Sequence, residues 1–474
     1  MSIARQVCID PHCKATYAVE DVLYRCRACG DLLDIEYDWD RAEMPGSLRF
    51  FETRWATPGR SNRALLDFSG VWRFRELLPF ADRSHMVTIG EGRTLLQESD
   101  GLGAELGLKP GGLFLQYEGF NPSGSFKDNG MAAAFTIARR LKRTRVACAS
   151  TGNTSASMAL YAAAAAAADR PMQALVFIGS GKIAAGKLSQ ALDHGALTLQ
   201  VRGDFDACMQ HVAKASERLD LYLMNSVNPF RLEGQKTIMY RILEGLDWEV
   251  PDWIVVPGGN LGNTSAFGKA WFELRVLGLV KSVPRIAVIN AAGASTLATI
   301  FNERGVRWNG GQLDREAIDQ VYADMDRRGA RAHTVASAIE INRPVNLSKA
   351  LRTLELTDGV VRAVEDADIL EHKALVARHG FGCEPASAAT LAGLRRLLEE
   401  QIIDKSQRVV CVLTGHELKD ADATVSYHLD AADTAPRGRL SNRPLDVDDD
   451  LESICRVIES TGCAAPAAAR RAGK

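Results

Sequence analysis

The sequence predicts an α/β protein built on mainly parallel sheets, with a small cysteine-bearing module at its front. Three observations carry this. Short apolar runs bounded by Gly, Pro, Ser or Asn alternate with helix-period segments from about residue 110 onward. Polar turns rich in glycine or hydroxyls sit at or near the ends of several of these runs, where parallel strands lead into helices and ligands bind. Four of the ten cysteines, Cys8, Cys13, Cys26 and Cys29, crowd the start of the chain.

A chain of 474 residues suits two or three domains. Lys+Arg 57 against Asp+Glu 59 leaves a net charge of -2, so no basic field points to nucleic acid. The alanine run 162–168 is too short and too weakly apolar to span a bilayer, so no membrane association is expected. The start MSIARQVCID lacks the apolar centre of a secretion signal. A cytoplasmic location follows as the expectation, with thiols reduced or bound to metal.

Taken in order, the elements begin with Cys26-Arg27-Ala28-Cys29-Gly30, a tight knuckle that presents two thiolates to one ion. Four residues separate Cys8 from Cys13, a spacing that tetrahedral zinc tolerates. Four cysteines leave no open position, so zinc here would be structural; spacing alone leaves its occupancy open. An irregular stretch follows to about residue 110. The strand-like runs are then Leu113–Glu118, Arg145–Ser150, Ala174–Gly179, Leu197–Val201, Trp253–Pro257, Ile286–Asn290 and Arg408–Thr414. Met131, Phe135, Ile137, Ala138 and Leu141 share one helical face, and Ser155–Ala168 forms an alanine-rich helix. Beyond Ala431 the chain turns acidic at Asp446–Asp450, and its last dozen residues are expected to be disordered.

Four motifs carry chemistry. In Asn121–Asp128 (NPSGSFKD), Lys127 opens a helix after a turn-rich stretch, where backbone positive charge favours a neutral, nucleophilic amine. Ser125 is the expected N-cap, with Asp128 closing a capping box, and Gly124 admits close backbone approach. Such an amine condenses with aldehydes, of which pyridoxal phosphate is the common biological one. Ser150, Thr151, Asn153 and Thr154 follow an apolar run as a hydroxyl-rich turn, a cradle suited to a carboxylate. Asn153 can also donate to a phenolic oxygen.

The third motif is the loop Gly258-Gly259-Asn260-Leu261-Gly262-Asn263 between a strand and the helix-like Ser265–Leu277. Its glycines let successive N–H groups face one phosphate. It is neither a dinucleotide fingerprint nor a Walker loop, so a cofactor with a single phosphate fits best. Finally, Val409–Leu413 leads into Thr414-Gly415-His416-Glu417. A hydroxyl at Thr414 facing a pyridine nitrogen would leave that nitrogen largely unprotonated, whereas His416 reads as structural.

With these motifs in order, the chain resembles threonine synthase, a fold-type II pyridoxal-phosphate enzyme with the architecture of the tryptophan synthase β subunit. The likeness runs from about Gly90 to Lys419 and includes Asn225–Thr237 (NSVNPFRLEGQKT), Thr334–Val345 and Val410–Asp420. It implies two parallel-sheet domains with pyridoxal 5'-phosphate between them. The implied division is a cysteine module at 1–40, a catalytic region at 41–435 with a smaller domain at about 136–234 inserted in the larger, and an extension at 436–474. The resemblance further implies that Lys127 carries the cofactor as an imine and shuttles protons. Asn153 would meet the phenolic oxygen, Gly259, Asn260, Leu261, Gly262 and Asn263 the phosphate, and Thr414 the ring nitrogen. Ser150, Thr151 and Thr154 would hold the amino-acid carboxylate. Asn225, Ser226 and Arg231 would hold the phosphate of O-phosphohomoserine, a task that suits an arginine fork. A homodimer stays open.

Two departures from the family pattern stand out. Leu95 replaces a proline in Gly90–Leu96, and Glu417 replaces a glycine after His416, adding charge near the ring and disfavouring a positive-φ turn. A relative acting on phosphoserine (cysteate synthase) or a threonine dehydratase is the alternative within the fold. The Asn225–Arg231 pocket argues against the dehydratase. A zinc-dependent binding factor with a silent enzyme body is the alternative outside it.

Overall fold

The computed structural model describes residues 3–56, 62–167, 171–179, 185–202, 212, 214–216, 218–429 and 438–461. Its strands, numbered in chain order, form three sheets. At the front, β1 (Ala4–Cys8), β2 (Thr16–Tyr17) and β3 (Leu33–Tyr37) make an antiparallel sheet in the order β2-β1-β3. Residues 33, 35 and 37 of β3 are buried while 34 and 36 are not, the period-2 pattern of a strand with one face covered.

The largest sheet contains β4 (Leu96–Glu98), β5 (Leu113–Tyr117), β10 (Trp253–Pro257), β11 (Arg285–Ala291), β12 (Val360–Val364) and β13 (Val409–Leu413). Their order is β12-β11-β10-β13-β5-β4, parallel throughout except for β4 at the edge. Every residue of β10 and β13 is buried, which explains their unbroken apolar sequences: helices cover both faces. Ile254, Val256, Ile286, Val288, Val410 and Val412 pack on one side against Phe267, Trp271 and Leu274 of the Gly262–Val276 helix. Their alternating neighbours Trp253, Val255, Ala287, Ile289, Val409 and Cys411 pack on the other against Leu391 and Leu394 of the Pro385–Glu399 helix.

The third sheet, β6 (Arg145–Ala149), β7 (Gln173–Gly179), β8 (Leu197–Val201) and β9 (Tyr222–Leu223), is wholly parallel in the order β8-β7-β6-β9. In sequence it lies between β5 and β10 of the large sheet.

All seven apolar runs are strands, with ends shifted by a residue at most. The stretch before residue 110 is less irregular than its sequence suggests. It holds 3-10 segments at Leu48–Ala56 and Trp72–Leu77, and Phe51, Trp72 and Phe74 are buried. The extension carries an exposed helix, Leu451–Thr461; the stretch expected to be disordered lies outside the described residues.

Candidate active site

Lys127 is the first residue of the helix Lys127–Arg140, and the loop before it is sewn to the end of β13. Phe126 N–H donates to Thr414 O (2.9 Å), His416 N–H donates to Gly124 O (2.9 Å), and Ser125 pairs with Gly415 as an antiparallel bridge. Gly124 takes φ +80°, and a Cβ there would press on Lys419 Cε at 2.9 Å, so glycine is required. The expected capping box does not form. Ser125 is drawn into the bridge, Phe126 is the N-cap, and the Asp128 carboxylate accepts instead from Ser123 N–H (2.7 Å) and the Ser157 hydroxyl. Beneath the loop, buried Glu118 pairs with Arg241 (2.7 Å) and accepts from the amides of Asn121 (2.8 Å) and Asn129 (2.7 Å).

The Lys127 amine sits 3.8 Å from the centre of the Phe126 ring. Burial pushes its pKa down to about 7, the like charge of Arg231 pushes the same way, and Glu384 opposes them. Burial and Arg231, rather than the helix end alone, make this a neutral amine near physiological pH.

The hydroxyl turn follows β6 as expected. Ser150, Thr151, Asn153 and Thr154 are all half-buried, and Asn153 and Thr154 begin the helix Asn153–Ala167. Asn225 accepts from Ala149 N–H (3.1 Å) and donates to Ala149 O (3.0 Å), so its amide fixes the strand end that carries Ser150. Ser226 is half-buried beside it, its carbonyl accepting from Asn346 Nδ2 at 3.2 Å. Arg231 belongs to the helix Pro229–Gln235 and is 1% exposed. Its Nη1 donates to Met224 O (2.7 Å), and its Nε has no partner. No carboxylate lies within ion-pair distance of it among the described residues, and burial pushes its pKa down to about 10.

The glycine loop leads from β10 into the Gly262–Val276 helix. Leu261 takes φ +62° as the N-cap of the Gly262–Val276 helix, and no side chain caps that end. Its first N–H groups are therefore open to an anion. In the first turn of that helix the buried Thr264 hydroxyl has no hydrogen-bond partner and can donate to an anion. Asn260 braces the loop by accepting at its carbonyl from Asn346 N–H (3.2 Å). Gly259 sits tightly against Ile339, whose Cα is 3.0 Å from where a Cβ would be. These residues fit the single phosphate of pyridoxal phosphate.

Thr414 is buried, and its hydroxyl contacts Ser387 Oγ (3.0 Å) and Glu384 Oε1 (3.1 Å). The other oxygen of Glu384 accepts from Asn153 Nδ2 at 2.9 Å. One buried carboxylate thus joins the two side chains expected at opposite edges of the ring. Sequence reasoning missed it, although a glutamate placed directly before a helix-opening proline, Pro385, is an unusual N-cap. The His416 ring accepts from Leu418 N–H (3.2 Å), a structural part. Glu417 opens a 3-10 turn without positive φ, so the glycine it replaces is not needed there.

At the front, the sulfurs of Cys8, Cys13, Cys26 and Cys29 converge within 4.8 Å of one another. Four thiols at that range are a donor set for one tetrahedral soft ion.

A family model described as pyridoxal-phosphate dependent enzyme matches residues 87–415. The threonine synthase of Methanocaldococcus jannaschii is 39% identical over 448 residues, covering 94% of this chain and 98% of that one. That of Methanosarcina acetivorans is 38% identical, covering 88% and 93%. Threonine synthase 2, chloroplastic, of Arabidopsis thaliana is 32% identical, covering 95% and 83%. Among solved structures, the processed form of threonine deaminase isoform 2 from Solanum lycopersicum superposes with TM-score 0.54 at 17% identity, over 76% of this chain and 91% of that one. Maize serine racemase gives 0.53 at 19%, over 71% and 93%. At such identity these two speak for the fold alone, and the fold is that of the type II enzymes. Sequence likeness over nearly the whole chain, on the fold of the type II enzymes, makes this chain a member of the threonine synthase family of pyridoxal-phosphate dependent enzymes.

Proposed function

We propose that this chain converts O-phospho-L-homoserine and water to L-threonine and phosphate. The observation that carries this reading is Arg231: a buried guanidinium with no carboxylate partner among the described residues, near enough to Lys127 to depress its pKa. A buried charge needs a counter-charge, and a phosphate on the substrate supplies one.

When bound, pyridoxal phosphate supplies the electron sink for charge developing at the substrate's α carbon. Lys127 would hold it at Nζ, the loop Gly259–Asn263 would hold its phosphate, and Asn153 and Thr414 would meet the two polar edges of its ring. Ser150, Thr151 and Thr154 present hydroxyls and helix-end N–H groups to the substrate carboxylate. Arg231 and Ser226 orient the substrate phosphate and stabilise the charge it carries away. Asn225 keeps the hydroxyl turn in register. Lys127 Nζ, with a pKa of about 7, accepts a proton from carbon and returns one within the same turnover. Burial around it limits exchange of those protons with water.

In this reading the cysteines hold one structural zinc ion. The sheet β8-β7-β6-β9 forms a smaller domain at about 136–234, inserted in the catalytic region 41–435, with an extension after it. The chain works in the cytoplasm as a homodimer, which sedimentation of the purified protein measures. The deciding experiment supplies the loaded enzyme with O-phosphohomoserine and phosphoserine separately. Threonine formation from the first supports the reading; phosphate release from phosphoserine alone overturns it in favour of the cysteate synthase alternative.

A further inference from the structure

The segment Asn225–Arg231, assigned above to the substrate phosphate, is bracketed by two tyrosines of the cysteine module. On its N-terminal side, Leu223 N–H donates to the Tyr24 hydroxyl at 2.6 Å. Leu223 ends β9, the edge strand of its sheet, two residues before Asn225, so Tyr24 takes the place of a neighbouring strand. On its C-terminal side, the Tyr37 hydroxyl donates to Glu233 Oε2 at 2.5 Å, two residues after Arg231 on the same helix. Glu233 is 1% exposed and is also held by Lys236 (2.7 Å) and Lys269. Lys269 Nζ in turn donates to Ile35 O on β3 at 2.5 Å. Ile35 and Tyr37 share one apolar core with Tyr222, Met224 and Phe230. Between the brackets the segment closes on itself: Asn228 donates to Leu223 O (2.8 Å), and Arg231 to Met224 O (2.7 Å).

We propose that the cysteine module is a working part of the substrate-phosphate site, with Tyr24 and Tyr37 as positioning residues that hold Asn225–Arg231 in its anion-binding geometry. This rests on the assignment of Arg231 to that phosphate. Neither tyrosine touches substrate or cofactor. Each fixes one end of a short segment whose middle must present a guanidinium and a hydroxyl to one anion. Small displacements of such a fork cost binding because its bonds are directional.

The test uses the cofactor-loaded enzyme as wild type, Tyr24→Phe and Tyr37→Phe, titrated with inorganic orthophosphate and assayed with the phosphorylated substrate. Each variant is expected to weaken orthophosphate binding and to raise KM about threefold to tenfold, the range for losing one hydrogen bond. The value of kcat and the visible band of the bound cofactor are expected to hold. A purely structural role would lower thermal stability with phosphate affinity and KM unmoved, and that result overturns the proposal. Should Tyr24→Phe fail to fold, Tyr37→Phe carries the test, because Glu233 keeps Lys236 and Lys269. A wild type that takes up no orthophosphate removes the assignment of Arg231 along with the proposal. Wild-type uptake with undiminished uptake in the variants removes the proposal alone.

Discussion

Glu384 bonds to Asn153 and Thr414 at once, and its carboxylate is buried beside an amine with a depressed pKa. Burial raises its own pKa, and the Asp420 charge adds to this, while Asn153, Lys127 and Thr414 work against the rise. A neutral Glu384→Gln side chain keeps the volume but offers one acceptor where two are used. We expect it to weaken retention of pyridoxal phosphate about tenfold, the cost of one charge-assisted bond, read by absorbance titration of the cofactor-free enzyme. Lys127 gives a second expectation. Its folded pKa of about 7 lies below its ordinary 10.5, so in the cofactor-free protein the unfolded state binds more protons between these values. The resulting destabilisation is full below about pH 7 and gone by pH 10.5. Cofactor-free Lys127→Met should therefore melt above wild type at pH 7, with the gap closing as pH rises; a pH-independent gap would count against the depressed pKa.

At the scale of elements, the site depends on how closely the Lys127–Arg140 and Pro229–Gln235 helices approach. Gly130 and Gly234 permit it: a Cβ on Gly130 would lie 3.0 Å from Arg231 O, and one on Gly234 would overlap Asn129 O. We expect Gly234→Ala to destabilise the fold by about 1–3 kcal/mol, as overpacking does, and to reduce substrate affinity because Arg231 shifts with its helix. Denaturant unfolding and KM together check this. Much at this scale was legible in the sequence. The strands β10 and β13 announce themselves because both faces are buried, leaving apolar residues at every position. By contrast, β9 has two residues, β4 has three, and β12 carries Arg362 at its centre. Such strands are specified by their neighbours rather than by their own composition. The same reason hid Glu384 and the Ser125–Gly415 bridge: Lys127 and its loop are local motifs, but these partners come from residues far along the chain.

At the scale of the whole molecule, the front module is bound to the body by buried charge. Lys349 Nζ donates to Leu33 O (2.6 Å) and pairs with Asp34 (2.8 Å), and Arg352 pairs with the same carboxylate at 2.5 Å. Burial raises the Asp34 pKa, but Arg352 and Lys349 more than reverse this and hold it far below the ordinary value. Its stabilisation is present above pH 3.8 and is lost as pH falls through the lower folded value. Purified protein is expected to carry about one zinc per chain, as a four-thiolate site requires, measurable by elemental analysis. Chelation should lower the thermal midpoint by releasing the Cys26–Cys29 knuckle that orients β3.

This docking has an evolutionary corollary. Any front module would offer backbone carbonyls to Lys269 and Lys349, but only one with an acid at position 34 neutralises Lys349 and Arg352. A transplanted module lacking it would strand two cations at a covered surface. Positions 34, 349 and 352 should therefore change together among relatives that carry a front module, which a comparison of such relatives at these three positions checks.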